Sequence, residues 1–321
     1  MKIAKKIVVF LIVVALYAGC ENSISTDNSA SQNAIIDSIN VDYKGENNVV
    51  FYQFSTQKKV TVKHDIWDIA VDSGLNIIAN SGAYGTGVST CSTDSINFDS
   101  DYSTYSDSGF SMFGLGNFDG WIDMSSMPPK YTGKVFIVKT EDKKMYKIQI
   151  VGATKSSGIS LTIKIDSLSG SGVAGSVFSK DANYDYAYID LGTKSVVVFA
   201  PKIAEWDVKF MRTEWLMGTS VGGHSSILLN TFSGVKAYLL ENSTLDAVTS
   251  VINANFSTNA HTIGHHWYTF DKSTMTFAVD NNVSIIKTPD EKVFKLQMST
   301  FYGGSDGKKQ FTSIFEFEAM K

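Results

Sequence analysis

Two distant stretches of this chain are written in the same pattern, and that pattern limits what the chain can fold into. "VFIVKTEDKKMYKIQI" (residues 135–150) corresponds position by position to "VSIIKTPDEKVFKLQM" (residues 283–298). Lys139 and Lys287 lie 287 − 139 = 148 residues apart, as do Gln149 and Gln297. Earlier landmarks follow the same order at shorter spacing. Trp121 answers to Trp267, and the pair Trp67-Asp68 to Trp206-Asp207. A period this long implies duplicated domains, not a solenoid of short repeats. The small-residue stretch "SLSGSGVAGS" (167–176) reads as the linker, giving domains at 41–168 and 176–321.

Within each stretch the apolar residues alternate. Tyr146, Ile148 and Ile150 fall on one side of their segment, Lys147 and Gln149 on the other. Ile159, Leu161, Ile163 and Ile165 alternate with Ser160, Thr162 and Lys164. Period two over such lengths means half-buried strands, so the expected class is all-β and antiparallel with little helix. One helix is expected at "STLDAVTSVI" (243–252), with Ser243 or Thr244 as N-cap and Asp246 in its first turn.

The N-terminus differs from the rest. "MKIAKKIVVFLIVVALYAGC" has a basic start and an apolar run from Ile7 to Ala18, which is an export signal too short for a comfortable membrane span. Its Ala18-Gly19-Cys20 ending resembles a bacterial lipoprotein processing site, with Cys20 as the lipidated residue and 1–20 as signal. Residues 21–40 are rich in Ser, Asn and Asp and read as a flexible tether. Cys91 is the other cysteine, so the mature chain has no intrachain disulfide framework. A net charge of −4 without a basic cluster argues against a nucleic-acid partner.

No catalytic constellation is present, and the chain is read as a non-enzyme. Asn80-Ser81-Gly82 with Gly85 and Gly87 could be a phosphate loop only if a helix followed, and residues 88–94 are poor helix formers. A tight bend is the expectation there. Asp99, Asp101 and Asp107 read as a solvated loop, because the closing glutamate of a calcium loop is missing. The histidines are unevenly placed: His64 early, then His224, His261, His265 and His266. Met112, Met124 and Met127 surround the first Gly-Trp segment, and Met275 follows the second. Imidazole and thioether are ligands for transition metals and haem iron, although methionine is equally common as core filling.

Taken in order, these elements resemble the HmuY family of bacterial haem-binding lipoproteins. The carriers are Trp67-Asp68-Ile69-Ala70, Asn80-Ser81-Gly82, Gly120-Trp121, the strand at 135–140 and Tyr146–Gln149. The second unit repeats them as Trp206-Asp207, Trp267 and the strands at 285–288 and 294–297. It has Met217-Gly218-Thr219-Ser220 where Asn-Ser-Gly is expected. The resemblance implies two tandem antiparallel β domains and a lipid-anchored protein at the bacterial outer-membrane surface. It also implies haem held between two axial side chains and passed to a TonB-dependent outer-membrane receptor for iron acquisition. By that resemblance the ligands are Met112 and Met127 in the first unit, and His265 with Met275 in the second, His261 being the alternative to His265. Trp121, with Phe113, Phe118 and Tyr131, would stack on the porphyrin. Two other readings stay open: a surface interaction module without haem, and divalent-metal capture through the second-unit histidines.

Overall fold

The computed structural model describes residues 34–41, 48–80, 88–93, 95–105, 110, 118–155, 158–217, 220–303 and 309–320. Residues 34–321 form one compact unit. In chain order the strands are β1 (Ile35–Asn40), β2 (Asn48–Gln53), β3 (Lys58–Lys63), β4 (Ile69–Val71), β5 (Ile77–Ala79), β6 (Ser89–Ser92), β7 (Ile122–Asp123), β8 (Lys130–Tyr131), β9 (Val135–Lys139), β10 (Met145–Thr154) and β11 (Ile159–Ser167). Then come β12 (Ser176–Lys180), β13 (Ala187–Asp190), β14 (Ser195–Val197), β15 (Val208–Met217), β16 (Ser220–Leu229), β17 (Lys236–Leu240), β18 (Tyr268–Asp271), β19 (Thr276–Val279), β20 (Val283–Lys287), β21 (Val293–Gly303) and β22 (Lys309–Ala319). Every pairing is antiparallel, and among the described residues the only helical elements are single 3-10 turns, so the fold is all-β.

The sheets come in matched pairs. One five-stranded sheet runs β12-β11-β10-β9-β6 and the other β1-β22-β21-β20-β17. One four-stranded sheet runs β14-β13-β4-β5 and the other β3-β2-β15-β16. In each pair, strands early in one sequence stretch complete the sheet of the other stretch. β1 pairs with β22 and β2 with β15, while β12 pairs with β11 and β13 with β4. The stretch at 168–175 therefore joins neighbouring strands of a single sheet. Residues 35–40, read from sequence as the end of a tether, form β1, with Ile39 buried against the far core.

Register follows from which side chains each core accepts. Val50, Tyr52 and Phe54 enter one core with Phe210, Phe294, Phe315 and Phe317. Ala187, Ile189 and Leu191 enter the other with Ile69, Ile148, Ile150 and Leu161. The alternate residues Val49 and Phe51, with Tyr188, face a third core shared with Trp67, Phe199 and Trp206. Both faces of β2 and β13 are thus buried, and a one-residue slip would exchange one core for the other.

Hydrogen bonds recur at matching places. The Asp68 amide donates to Ile189 O (2.9 Å), and its carboxylate accepts from the Leu191 amide (2.8 Å). The Asp207 amide donates to Tyr52 O (2.8 Å), and its carboxylate accepts from the Phe54 amide (2.8 Å). Each aspartate ties in the hairpin that arrives from the other stretch. Asn80, fully buried, donates from Nδ2 to the carbonyls of His64 (2.5 Å) and Trp67 (2.7 Å). The loop at 81–87, where a tight bend is expected, lies outside the described residues. The counterpart of Asn80 in the second stretch is Asn230, which donates to Ile203 O and Trp206 O, both at 2.7 Å. The expectation that Met217–Ser220 replaces this element is corrected: Met217 ends β15 and Ser220 begins β16, and the Asn role falls thirteen residues after Met217, at Asn230.

Two further expectations change. Lys147 and Gln149 do not face solvent; they are 0% and 6% exposed. The loop at 95–105 covers them, with Lys147 Nζ donating to Ser100 O (2.8 Å) and lying 5.1 Å from the Phe98 ring centroid. The segment 243–252 forms turns, not a helix. Leu245 and Val248 plug a satellite core, and the Leu245 carbonyl accepts from Lys295 Nζ (2.8 Å), a bond to tertiary structure in place of a helical one.

The aspartate ties give a test. Burial pushes Asp68 and Asp207 up to about 6, against the hydrogen bonds that favour their charged forms. A raised carboxyl binds its proton more tightly folded than unfolded, so its contribution is greatest below about pH 4 and is lost as pH rises through 6. Asp68→Asn and Asp207→Asn keep an acceptor oxygen and remove the charge. Each is expected to raise stability at pH 7 by about 1 kcal/mol, discounted for partial solvation, and to flatten the dependence between pH 4 and 6. Asp→Ala at either site leaves a buried amide unpaired and is expected to cost about 1–3 kcal/mol in denaturant unfolding.

Candidate functional site

The second stretch carries a cleft of about 730 Å³ lined by His224, His265, His266, Tyr268, Phe270 and Lys272, with Glu241 and Asp280 on its rim. His224 comes from β16 and is buried. Its Nδ1 lies 2.7 Å from Tyr268 Oη, which also accepts from the Ser225 amide at 3.2 Å. His265 and His266 come from the loop that precedes Trp267. That loop is docked on β16 by a reciprocal pair: the Ile227 amide donates to Gly264 O (2.9 Å) and the Gly264 amide to Ile227 O (3.0 Å). Trp267 anchors the far end, 3% exposed and stacked on Phe301 at 5.3 Å.

Docked in this way, the three imidazoles form a stack. His224 and His265 ring centroids lie 4.2 Å apart at 19°, and those of His265 and His266 lie 4.7 Å apart at 26°. Burial and the two neighbouring rings push His224 down to about 4, and burial with His266 and His261 lowers His265. Burial and the repulsion between neighbouring rings thus favour the neutral imidazole of His224 and His265 at neutral pH. Among the described residues no group of three or more His, Cys, Asp or Glu is placed to hold a metal ion. The cleft offers imidazole nitrogens to a ligand.

Gly264 makes this placement possible. Its φ is +54°, and a Cβ there would stand 2.9 Å from His261 O. Gly264→Ala is expected to cost about 1–2 kcal/mol and to shift the His265 and His266 imidazole resonances in a histidine-labelled NMR spectrum, with the His64 resonance unmoved.

The remaining sequence candidates are dispersed. His261 lies outside the cleft; it lines an inner cavity with Lys209, and burial and that cation lower it. Met275, 70% exposed with φ +57°, sits in the turn between β18 and β19 and does not line the cleft that holds His265. Met127 stands in the matching β7–β8 turn, 90% exposed. Trp121 is buried, with its ring stacked on Tyr131 at 6.1 Å, and Phe118 packs on Phe136 at 5.3 Å. Met112, Phe113 and Cys20 lie outside the described residues. Cys91 is a buried free thiol 2.7 Å from Tyr105 Oη. His224, in the sequence only one of the second-stretch histidines, lies within Gly222-Gly223-His224-Ser225-Ser226, and the bridge between Ile227 and Gly264 is what brings it to His265.

No family model matches the chain, and no curated protein matches it either. Solved structures do. Apo PinO from Porphyromonas gingivitis aligns over 91% of this chain and 99% of its own, at 8% identity and TM-score 0.39. The apo HmuY analog of Tannerella forsythia covers 43% of this chain and 98% of its own, at 14% identity and TM-score 0.21. An HmuY-like protein of Bacteroides vulgatus, described as haem-binding, covers 41% of this chain and 90% of its own, at 20% identity and TM-score 0.21. The structural neighbours of this chain thus include HmuY-like proteins, one of them described as haem-binding.

Proposed function

We propose that the chain is a haem-binding lipoprotein and that the second-stretch cleft takes the haem. The observation that carries this reading is the imidazole stack: neutral nitrogens on the wall of an open cleft, beside the rings of Tyr268 and Phe270. Its volume falls in the range of small-molecule sites. His265 is the proposed iron ligand, because it is more open than His224 and is held by neighbours on both ring faces. Tyr268 holds the ring of His224 through Nδ1, and Lys272 is the cleft-lining cation suited to a haem carboxylate. Met275 and, in the first stretch, Met112 with Met127 remain proposed partners from the family resemblance. Met275 sits in the turn of the hairpin whose first strand walls the cleft. Lipidation at Cys20, outer-membrane location and delivery to a TonB-dependent receptor belong to the same proposal.

Haemin titration of the purified mature chain tests it. A saturable, sharpened Soret band is the expected result. An unshifted haemin spectrum at micromolar protein rejects the proposal, and tight zinc or copper binding in its place favours metal capture.

A further inference from the structure

A second cavity, of about 140 Å³, lies where the two four-stranded sheets face each other across the shared core. It is separate from the histidine cleft, and its walls are mostly rings, among them Trp67, Trp206, Tyr186, Tyr188 and Phe199. The rings brace one another: Trp67 and Tyr188 centroids are 5.2 Å apart, Tyr188 and Phe199 4.8 Å. Phe232, 38% exposed and edge-on to Tyr186 at 5.4 Å, stands where this cage reaches solvent.

The lining includes two buried indole donors without a partner: Trp67 and Trp206 are 3% and 2% exposed, and neither indole N–H has a hydrogen-bond partner among the described residues. Buried donors of this kind are rare, and leaving one unpaired is unfavourable. Lys209 adds an ammonium whose Nζ lies 5.6 Å from the Trp206 ring and 3.9 Å from the Asp185 carboxylate. That carboxylate is already engaged by Tyr188 Oη (3.0 Å to each oxygen) and the Tyr186 amide (2.9 Å). The charges of Lys209 and Asp185 balance, so a further anion here would add an uncompensated buried charge.

A cavity of about this volume accepts one six-membered ring. We propose that it binds an uncharged single-ring aromatic molecule bearing a carbonyl-type acceptor, with the ring against the aromatic walls and the acceptor taken by the indole and Lys209 N–H groups.

Isothermal titration calorimetry of the full mature chain with benzamide, benzoate and toluene tests this. Benzamide is expected to bind one-to-one. Toluene lacks the acceptor and benzoate carries the extra charge, so each is expected to bind at least about tenfold more weakly. Ala260→Phe, which fills the cavity from its wall, is expected to abolish benzamide binding with the circular dichroism spectrum unchanged. Lys209→Met, retaining the packing of the stem, is expected to weaken it about tenfold and serves if Ala260→Phe does not fold. Absence of benzamide binding, equal binding of toluene, or wild-type affinity in the variant that folds overturns the proposal. Haemin binding is read separately and is expected to be unchanged in both variants.

Discussion

Phe54→Ala is expected to destabilise the chain by about 3–5 kcal/mol, and to do so in the half remote from it in sequence. Phe54 is 2% exposed, stacked on Phe294 at 5.3 Å and packed edge-on against Phe317 at 5.2 Å. Its amide is bound by Asp207. Removing the ring leaves a cavity that the surrounding phenylalanines cannot close without losing their own contacts. Hydrogen exchange should therefore show protection lost in β20, β21 and β22 before β9, β10 and β11. The matching substitution is Leu191→Ala, which empties a site in the other core and is expected to cost about 2–5 kcal/mol with the opposite pattern of exchange. If Phe54→Ala weakened β9–β11 first, the exchange of hairpins between the two stretches would be wrong.

His265→Ala is expected to lower haemin affinity about a hundredfold, the scale of losing one of the interactions that dominate a binding site. Acid should act on the same group. Iron binds the neutral imidazole, and burial with the neighbouring rings keeps His224 and His265 neutral to lower pH than usual. Burial and the neighbouring rings lower His265, so haem is expected to be retained to a lower pH than an ordinary imidazole ligand allows and to be released on further acidification. The apo protein follows the same sign. His224 is lowered to about 4 when folded, so the unfolded chain takes up its proton first, and the contribution of His224 to stability falls as pH drops from about 6.5 toward 4, opposite in sign to those of Asp68 and Asp207 and read as the difference between wild type and His224→Ala. An acid titration of the Soret band, beside apo unfolding at the same pH values, checks both.

The strands were legible because alternation is a local signal, and the paired order of 135–150 and 283–298 reappears as β9–β10 and β20–β21. What sequence could not give was partnership. "NVVFYQ" and "AYID" look alike because both strands are buried on two faces, and nothing in them says which core each face enters. Lys147 and Lys295 read as solvent-facing because a buried lysine depends on carbonyls from a distant loop, Ser100 O in one case and Leu245 O in the other. In the site, His265 was chosen from its place before Trp267. His224 enters only because Gly264 locks the loop to β16, a long-range pairing with no sequence period. Met127 and Met275 matched as a pair in the sequence and match in the structure, but as exposed turn residues.

The central claim is that the stacked histidines of the cleft take a haem. Haem stoichiometry measures it most directly, in the wild-type mature chain and in a His224→Ala/His265→Ala/His266→Ala variant shown to be folded by circular dichroism. The expected result is the loss of one tightly bound equivalent together with its Soret band. An unchanged stoichiometry and spectrum in the triple variant would contradict it.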